Sequence, residues 1–180
     1  MAMDDREIVA LVVEGRTSEY RRLVERYQQP VFRFACNLIG NRHDAEDITQ
    51  EVFVAAFDNL RSYDSRRSSL LTWLLAICRN RCINCWKRKR PATTGESFAA
   101  ADLLNPEDDS IRREFWEELD AALISLPIDQ KTAFILAEIE GLPYADIAVI
   151  EGTSLGTVKS RLHRAKQKLR QLLETHVKEP

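Results

Sequence analysis

The chain has 180 residues, of which 44% are hydrophobic and 30% charged, so we expect one or two globular domains. The formal net charge of −2 argues, taken alone, against a nucleic-acid-binding protein, whose domains are usually basic. Six glycines and six prolines are few, which disfavours a turn-rich all-β fold.

The N-terminal residues are acidic and lack the basic segment and apolar core of a signal peptide. The most apolar stretch, residues 70–78, is far shorter than the roughly 20 residues that a membrane-spanning helix needs. We therefore expect a cytoplasmic protein without membrane insertion.

Apolar residues recur at helical spacing in the first half of the chain, and no convincing strand pattern occurs. The first expected helix covers 4–13. A second begins at a cap on Thr17 or Ser18, is kinked or broken at Pro30 and ends at Gly40. Two more are expected at 44–60 and 70–90, separated by a polar loop.

Residues 91–111 lack amphipathic periodicity and contain proline and glycine, a composition typical of a linker. Beyond them the pattern predicts an apolar helical face up to Leu126, followed by helices at 128–140, 144–150 and 155–174. The sequence therefore predicts an all-α fold. Two small helical domains, 1–90 and 112–180, are joined by a flexible acidic linker, 91–111.

The charges are unevenly distributed along the chain. Residues 61–90 carry a net charge of +8 and residues 154–172 one of +6, whereas 96–120 carry −7 and 44–58 carry −5. A single basic segment is more often a solvated helix face, but two in separate domains are typical of phosphate binding. The near-neutral total therefore does not exclude DNA as a partner.

The second basic segment coincides with the pattern of a helix-turn-helix. A short apolar helix reaches a tight turn at Gly152, and Ser154 is suited to cap the helix that follows. That helix has an apolar stripe from Val158 to Leu172 and an opposite basic face. Its N-terminal half suits a DNA major groove, while a helical hairpin with a merely solvated basic face is the alternative.

Four sequence blocks resemble the extracytoplasmic-function (ECF) group of sigma factors, which belong to the sigma-70 family. They are DAEDITQEVFVAAF at 44–57, TWLLAICRNRCINCWKRKR at 72–90, LPIDQKTAFILAEIEGLPYADIA at 126–148 and GTVKSRLHRAKQKLRQLL at 156–173. The resemblance implies a subunit without catalytic chemistry that binds core RNA polymerase, directs it to a promoter and helps to open the duplex. Domain 1–90 would be sigma region 2, and domain 112–180 would be region 4.

The resemblance also implies roles for individual residues. The helix at 44–57 would dock on the β′ coiled coil of polymerase through the polar side chains Asp44, Glu46, Asp47, Gln50 and Glu51. Contacts to the −10 element would come from Tyr63, Arg66, Arg67, Ser68, Arg79, Asn80 and Lys87. An unstacked base needs a stacking partner, a role that suits Tyr63. The chain departs from the family pattern at Leu71 and Ala76, next to these positions.

Region 4 would read the −35 element through the helix-turn-helix, about Tyr144 to His163. The residues implied are Ser154, Thr157, Lys159, Ser160, Arg161, His163, Arg164 and Lys166. The same resemblance implies contact with the polymerase β flap and an anti-sigma factor as a further partner.

Cys78, Cys82 and Cys85 share one helix face, and Cys36 lies on another helix. This spacing favours small core residues over a zinc site, which usually uses paired knuckles on loops. No nucleotide-binding or hydrolase motif occurs, so we expect no enzyme, cofactor or metal. Two alternatives stay open: a regulator that binds DNA without polymerase, and a thiol- or zinc-dependent sensor.

Overall fold

The structure is a computed structural model that describes residues 3–89, 119 and 121–176. The predicted linker and the apolar positions Phe115 and Trp116 lie outside these residues. Within the described residues the secondary structure is helical and contains no strand, which confirms the predicted all-α class. The helices are α1 (Asp5–Val13), α2 (Tyr20–Ile39), α3 (Arg42–Asn59), α4 (Leu70–Lys89), α5 (Ile128–Phe134), α6 (Tyr144–Glu151) and α7 (Leu155–His176).

Two helix boundaries differ from the sequence prediction. A 3₁₀ turn at Thr17–Glu19 precedes α2, which therefore begins later than predicted. Of the two outcomes predicted at Pro30, a kink or a break, the break does not occur, because α2 continues through this residue with its neighbours Val31 and Phe34 fully buried. Packing of that face compensates for the backbone hydrogen bond that proline cannot donate.

The N-terminal unit, α1 to α4, is a helical bundle around one apolar core. Helix α3 begins at Arg42 because the side chain of Asn41 accepts a hydrogen bond from the Asp44 N–H at 2.9 Å. Helices α2, α3 and α4 all contact one another. The four cysteines are buried, in agreement with their predicted place in the core.

The C-terminal unit, α5 to α7, contains the helix-turn-helix. The predicted regular helix at 128–140 was partly wrong, because Ile135–Ile139 form a π-helical turn after α5. The Glu140 N–H accordingly donates to the Ile135 carbonyl, one residue further back than in an α-helix. Helices α6 and α7 are joined through Gly152, whose φ of 61° is left-handed and ends α6.

The two units pack against each other. Ile135, Leu136 and Ile147 are fully buried in the same apolar core as residues of α2 and α4. A smaller cluster, built from Leu123, Leu126 and residues of α7, completes the C-terminal unit. In the part of the chain that the structure describes, no helix is long and apolar enough to cross a membrane.

Candidate nucleic-acid and polymerase interfaces

The predicted polymerase-binding face lies along the outer side of α3. Asp47, Gln50 and Glu51 are exposed and line a shallow groove with Val54, which is 63% exposed, and Arg81 of α4. The Arg81 guanidinium donates to the Glu51 carboxylate at 3.1 Å. The face therefore combines carboxylates with an exposed apolar side chain, a composition that suits a protein partner.

The other two residues predicted for this face lie near the start of α3. Asp44 lies in the first turn, where its N–H is held by Asn41. Glu46 pairs with Arg42 at 3.1 Å, one helical turn away. Sequence reasoning missed Val54 and Arg81, although Val54 follows Asp47 and Glu51 at helical spacing.

The polar loop before α4 is held by short-range hydrogen bonds. The Tyr63 ring packs against Trp73, with 5.5 Å between ring centroids, and its hydroxyl donates to the Ser68 carbonyl at 3.1 Å. The ring is therefore partly packed against Trp73, and its role in stacking an unpaired base stays a prediction. Arg66 binds Asp64 through its backbone N–H and its guanidinium, and these contacts lower the pKa of Asp64 to about 2. Arg67 is exposed.

Helix α4 presents the other predicted −10 residues along one side. Asn80 and Lys87 are exposed, whereas the Arg79 side chain is only 13% exposed. These three residues line an open groove of about 580 Å³, whose opposite wall is Ile128 and Asp129 at the start of α5. The C-terminal unit thus forms one side of the predicted −10 surface.

Helix α7 presents most of the predicted −35 residues to solvent. The Thr157 N–H donates to the Ser154 hydroxyl at 3.2 Å, which supplies the predicted cap. Lys159, Ser160, His163, Arg164 and Lys166 are exposed, and Lys166 also pairs with Glu138 at 2.9 Å. The buried stripe of Val158, Leu162, Ala165 and Leu169 fixes the direction of this basic face.

Arg161 is oriented differently from the other predicted −35 residues. Its guanidinium donates to Glu151 at 2.8 Å and to Asp129 at 3.0 Å. Asp129 also accepts from Arg79 at 3.1 Å, so one carboxylate links α4, α5 and α7. We call Arg79, Asp129, Glu151 and Arg161 the charge cluster. Sequence reasoning missed both of its acids.

Glu151 is the most deeply buried member of the charge cluster. Its side chain has no solvent exposure, and its Oε1 atom has no hydrogen-bond partner among the described residues. Burial raises the pKa of Glu151, while the hydrogen bond from Arg161 opposes this shift. The carboxylate thus holds Arg161 against α6 at a cost in desolvation.

The buried cysteines are poorly suited to reactivity. Burial raises the pKa of Cys36 to about 11. The pKa of Cys82 is also raised, chiefly by its interaction with the neighbouring Cys78 thiol. Among the residues described, no group of three or more His, Cys, Asp or Glu is arranged to hold a metal ion.

A helical fold with two basic surfaces, one of them on a helix-turn-helix, is typical of DNA-binding proteins. Family models identify the class of protein more closely. The model of sigma-70 region 2 matches residues 23–91, and the model of sigma-70 region 4 matches residues 116–169. The chain belongs to the ECF group of the sigma-70 family and is a promoter-recognising RNA polymerase sigma factor.

Similar proteins support this assignment. The ECF RNA polymerase sigma factor SigW of Bacillus subtilis is 30% identical over 96% of this chain and 98% of its own length. EcfG of Rhodopseudomonas palustris is 39% identical over 78% of this chain and 77% of its own. SigE of Mycolicibacterium smegmatis is 36% identical over 87% of this chain, which spans only 62% of that relative.

Solved structures share the fold. The sigma factor RpoE of Bartonella quintana, solved in complex with the anti-sigma factor NepR, is 27% identical with a TM-score of 0.70. The likeness covers 87% of this chain and 97% of RpoE. CnrH, solved with the cytosolic domain of CnrY, is 24% identical with a TM-score of 0.73 over 95% of this chain and 97% of its own.

Proposed function

We propose that the two units divide promoter recognition between them. The N-terminal unit, within domain 1–90, binds core polymerase and the −10 element, and the C-terminal unit, within domain 112–180, binds the −35 element. The observation that carries this division is the exposed basic face of α7 within a capped helix-turn-helix. A second basic surface lies on the separate unit that contains α4.

Within the N-terminal unit, the two functions are assigned to different helices. The carboxylates and Val54 on α3 form the polymerase-docking face, since their negative charge would repel DNA. The exposed side chains of Asn80 and Lys87 on α4, together with Arg67, contact the −10 strand. Segment 91–111 connects the units in the enzyme complex.

Three further features follow from the family and belong to this proposal. The protein acts in the cytoplasm, where promoter DNA and polymerase are found. It has no enzymatic activity of its own and needs no cofactor. A protein of the anti-sigma class binds it, as NepR binds the Bartonella quintana relative.

Polymerase capture tests the docking face on α3. Reversing the charge of the exposed carboxylates Asp47 and Glu51 to lysine is expected to weaken binding to core polymerase and to reduce run-off transcription together. The control is Glu25→Lys, which reverses an exposed carboxylate on α2 that pairs with Arg21 in its own helix. Equal capture of all variants would favour a regulator that binds DNA without polymerase.

Transcription from a −35-dependent promoter tests the face on α7. Arg164→Ala removes an exposed cation from the middle of the helix and should reduce promoter occupancy by roughly fivefold, since base and phosphate contacts are each worth about 1 kcal/mol or more. Arg170→Ala removes another exposed cation, from a position nearer the helix C-terminus, and serves as the control. Unchanged occupancy for Arg164→Ala would exclude this face as the reader.

A further inference from the structure

One arginine of α7 is held by carboxylates on two other helices of its own unit. The Arg161 guanidinium donates to Glu151, the last residue of α6, at 2.8 Å. It also donates to Asp129, in the first turn of α5, at 3.0 Å. All three residues belong to the C-terminal unit, so these contacts do not depend on how the two units pack. The charge of Arg161 is therefore compensated within the unit that carries it.

Arg161 lies on a different side of α7 from its exposed neighbours. Successive residues of an α-helix are turned by about 100° around its axis. Arg161 precedes Leu162 and follows Val158 by three residues, and both of these side chains are buried, so it lies at the edge of the buried stripe. Ser160 and His163 are exposed and lie about 100° and 160° away around the helix. A major groove contacted by these two residues would not face Arg161.

Glu151 occupies an unfavourable place for a carboxylate. Its side chain has no solvent exposure, and its Oε1 atom has no hydrogen-bond partner among the described residues. It also ends α6, where the helix dipole disfavours negative charge. Apolar side chains of similar volume often stabilise a fold as well as a buried ion pair does. What the pair adds is direction, because hydrogen bonds from a planar guanidinium to carboxylates fix an angle as well as a distance.

Direction matters for α7 because the reading of base edges tolerates little movement. A helix with its side chains has a radius of about 5–6 Å, so a rotation of about 10° shifts a side-chain tip by about 1 Å. The distances of N–H···O hydrogen bonds span only about 0.5 Å. The buried stripe of α7 packs through the hydrophobic effect, which is not directional. The contacts of Arg161 with α5 and α6 restrain the rotation that this stripe leaves free.

We propose that Arg161 is a positioning residue, which Glu151 and Asp129 hold so that the exposed face of α7 meets the −35 element in one orientation. This inference rests on the proposed assignment of α7 to −35 reading. It gives Arg161 a role that differs from the direct DNA contact predicted from the sequence. The contacts to DNA are then made by exposed neighbours such as Ser160 and Arg164.

Two variants of the full-length protein, assembled with core polymerase, test this role. Arg161→Lys keeps the charge but lacks the planar fork that reaches two carboxylates at once. The double variant Glu151→Leu/Arg161→Met replaces the buried pair by apolar side chains, which removes the directional bonds without leaving a buried charge. Arg170→Lys changes an exposed arginine of the same helix and is the matched control.

Promoter occupancy is measured on the preferred −35 sequence, selected from a library, and on its single-base variants, over a range of salt concentrations. Circular dichroism records helical content. Both Arg161 variants should discriminate about fivefold less than the wild type between these sequences, since a well-oriented base contact is worth at least that factor. Arg170→Lys should discriminate as the wild type does.

The salt dependence distinguishes positioning from contact. The slope of log affinity against log salt should be unchanged in the double variant, because Arg161 neutralises no phosphate in this proposal. Arg164→Ala, which removes an exposed cation, should make the slope shallower by about 1. A slope shallower by about 1 in the double variant would overturn the inference, since Arg161 would then contact a phosphate directly.

Discrimination distinguishes positioning from a contribution to stability alone. Wild-type discrimination by either variant, with helical content retained, would overturn the inference. If the double variant lost helical content, Arg161→Lys would decide the question, because a phosphate contact tolerates lysine and the two-carboxylate fork does not. A wild type that did not distinguish −35 sequences at all would contradict the proposed function of α7, and the inference with it.

Discussion

The ion pair between Arg33 and Glu140 gives a quantitative test of how the two units pack. The Glu140 side chain is only 5% exposed, whereas that of Arg33 is 54% exposed. The Arg33 Nε atom lies 3.1 Å from both carboxylate oxygens. Removing either partner breaks the same pair, but the group left behind differs in its access to water.

Because of this difference in exposure, we expect the two single substitutions to lower the free energy of unfolding by unequal amounts. Arg33→Ala leaves a buried carboxylate whose other described donor is the Asn37 amide at 3.4 Å, and a buried charge without its partner typically costs a few kcal/mol. Because Arg33 is half exposed and screened by water, we expect about 2 kcal/mol for Arg33→Ala. Glu140→Ala leaves an arginine that water can solvate and should cost about 1 kcal/mol.

Urea unfolding of the two single variants and the double variant measures these costs. The double variant should cost less than the sum, with a coupling of about 1 kcal/mol. Helical content by circular dichroism and the fluorescence of the three tryptophans, two of them in α4, should give coincident transitions if the units unfold together. A coupling near zero would mean that the units do not pack in solution as the structure has them. A larger cost for Glu140→Ala would refute the reasoning from exposure.

Three other predictions concern single sites. Burial raises the pKa of Glu151, so ionising its carboxyl group is less favourable in the folded protein than in the unfolded chain. The wild type should therefore lose stability relative to Glu151→Gln as the pH rises from the ordinary carboxyl pKa of 4.5 to neutrality. Thermal melts measure this trend, and the opposite trend would contradict the raised pKa. The four buried thiols should react with Ellman's reagent only after denaturation, and a thiol that reacts rapidly in the native protein would argue against a core role. Gly152→Ala places a side chain on a residue with a φ of 61° and should lower the stability of the protein by about 1 kcal/mol. The control Gly156→Ala lies inside α7 and should not lower it. Equal unfolding midpoints for the two variants would exclude a conformational requirement at Gly152.

The features predicted correctly from sequence depend on neighbouring residues. The Ser154 cap, the turn at Gly152 and the apolar stripe of α7 lie within two dozen residues, and local periodicity was enough to predict the helix-turn-helix. The same holds for α4, predicted at 70–90 and observed as Leu70–Lys89. The exact polymerase and DNA contacts stay predictions.

The contacts between the units could not be predicted in the same way. Asp129 and Arg79 are 50 residues apart in sequence, and Glu140 and Arg33 are 107 apart. Asp129 and Glu140 each lie near a helix end, where a solvated acidic residue is equally suitable. The neighbouring sequence therefore does not indicate that either residue pairs with a distant arginine. Glu151 is the last residue of α6, and its pairing with Arg161 explains how the buried carboxylate is tolerated.

The predicted reading residues fall into two classes according to their accessibility when the two units pack as in the structure. Lys87, Lys159 and Arg164 are exposed and can meet phosphates at once, whereas Arg79 and Arg161 are engaged by Asp129. Each cation that joins a phosphate releases about one counterion and steepens the salt dependence of binding.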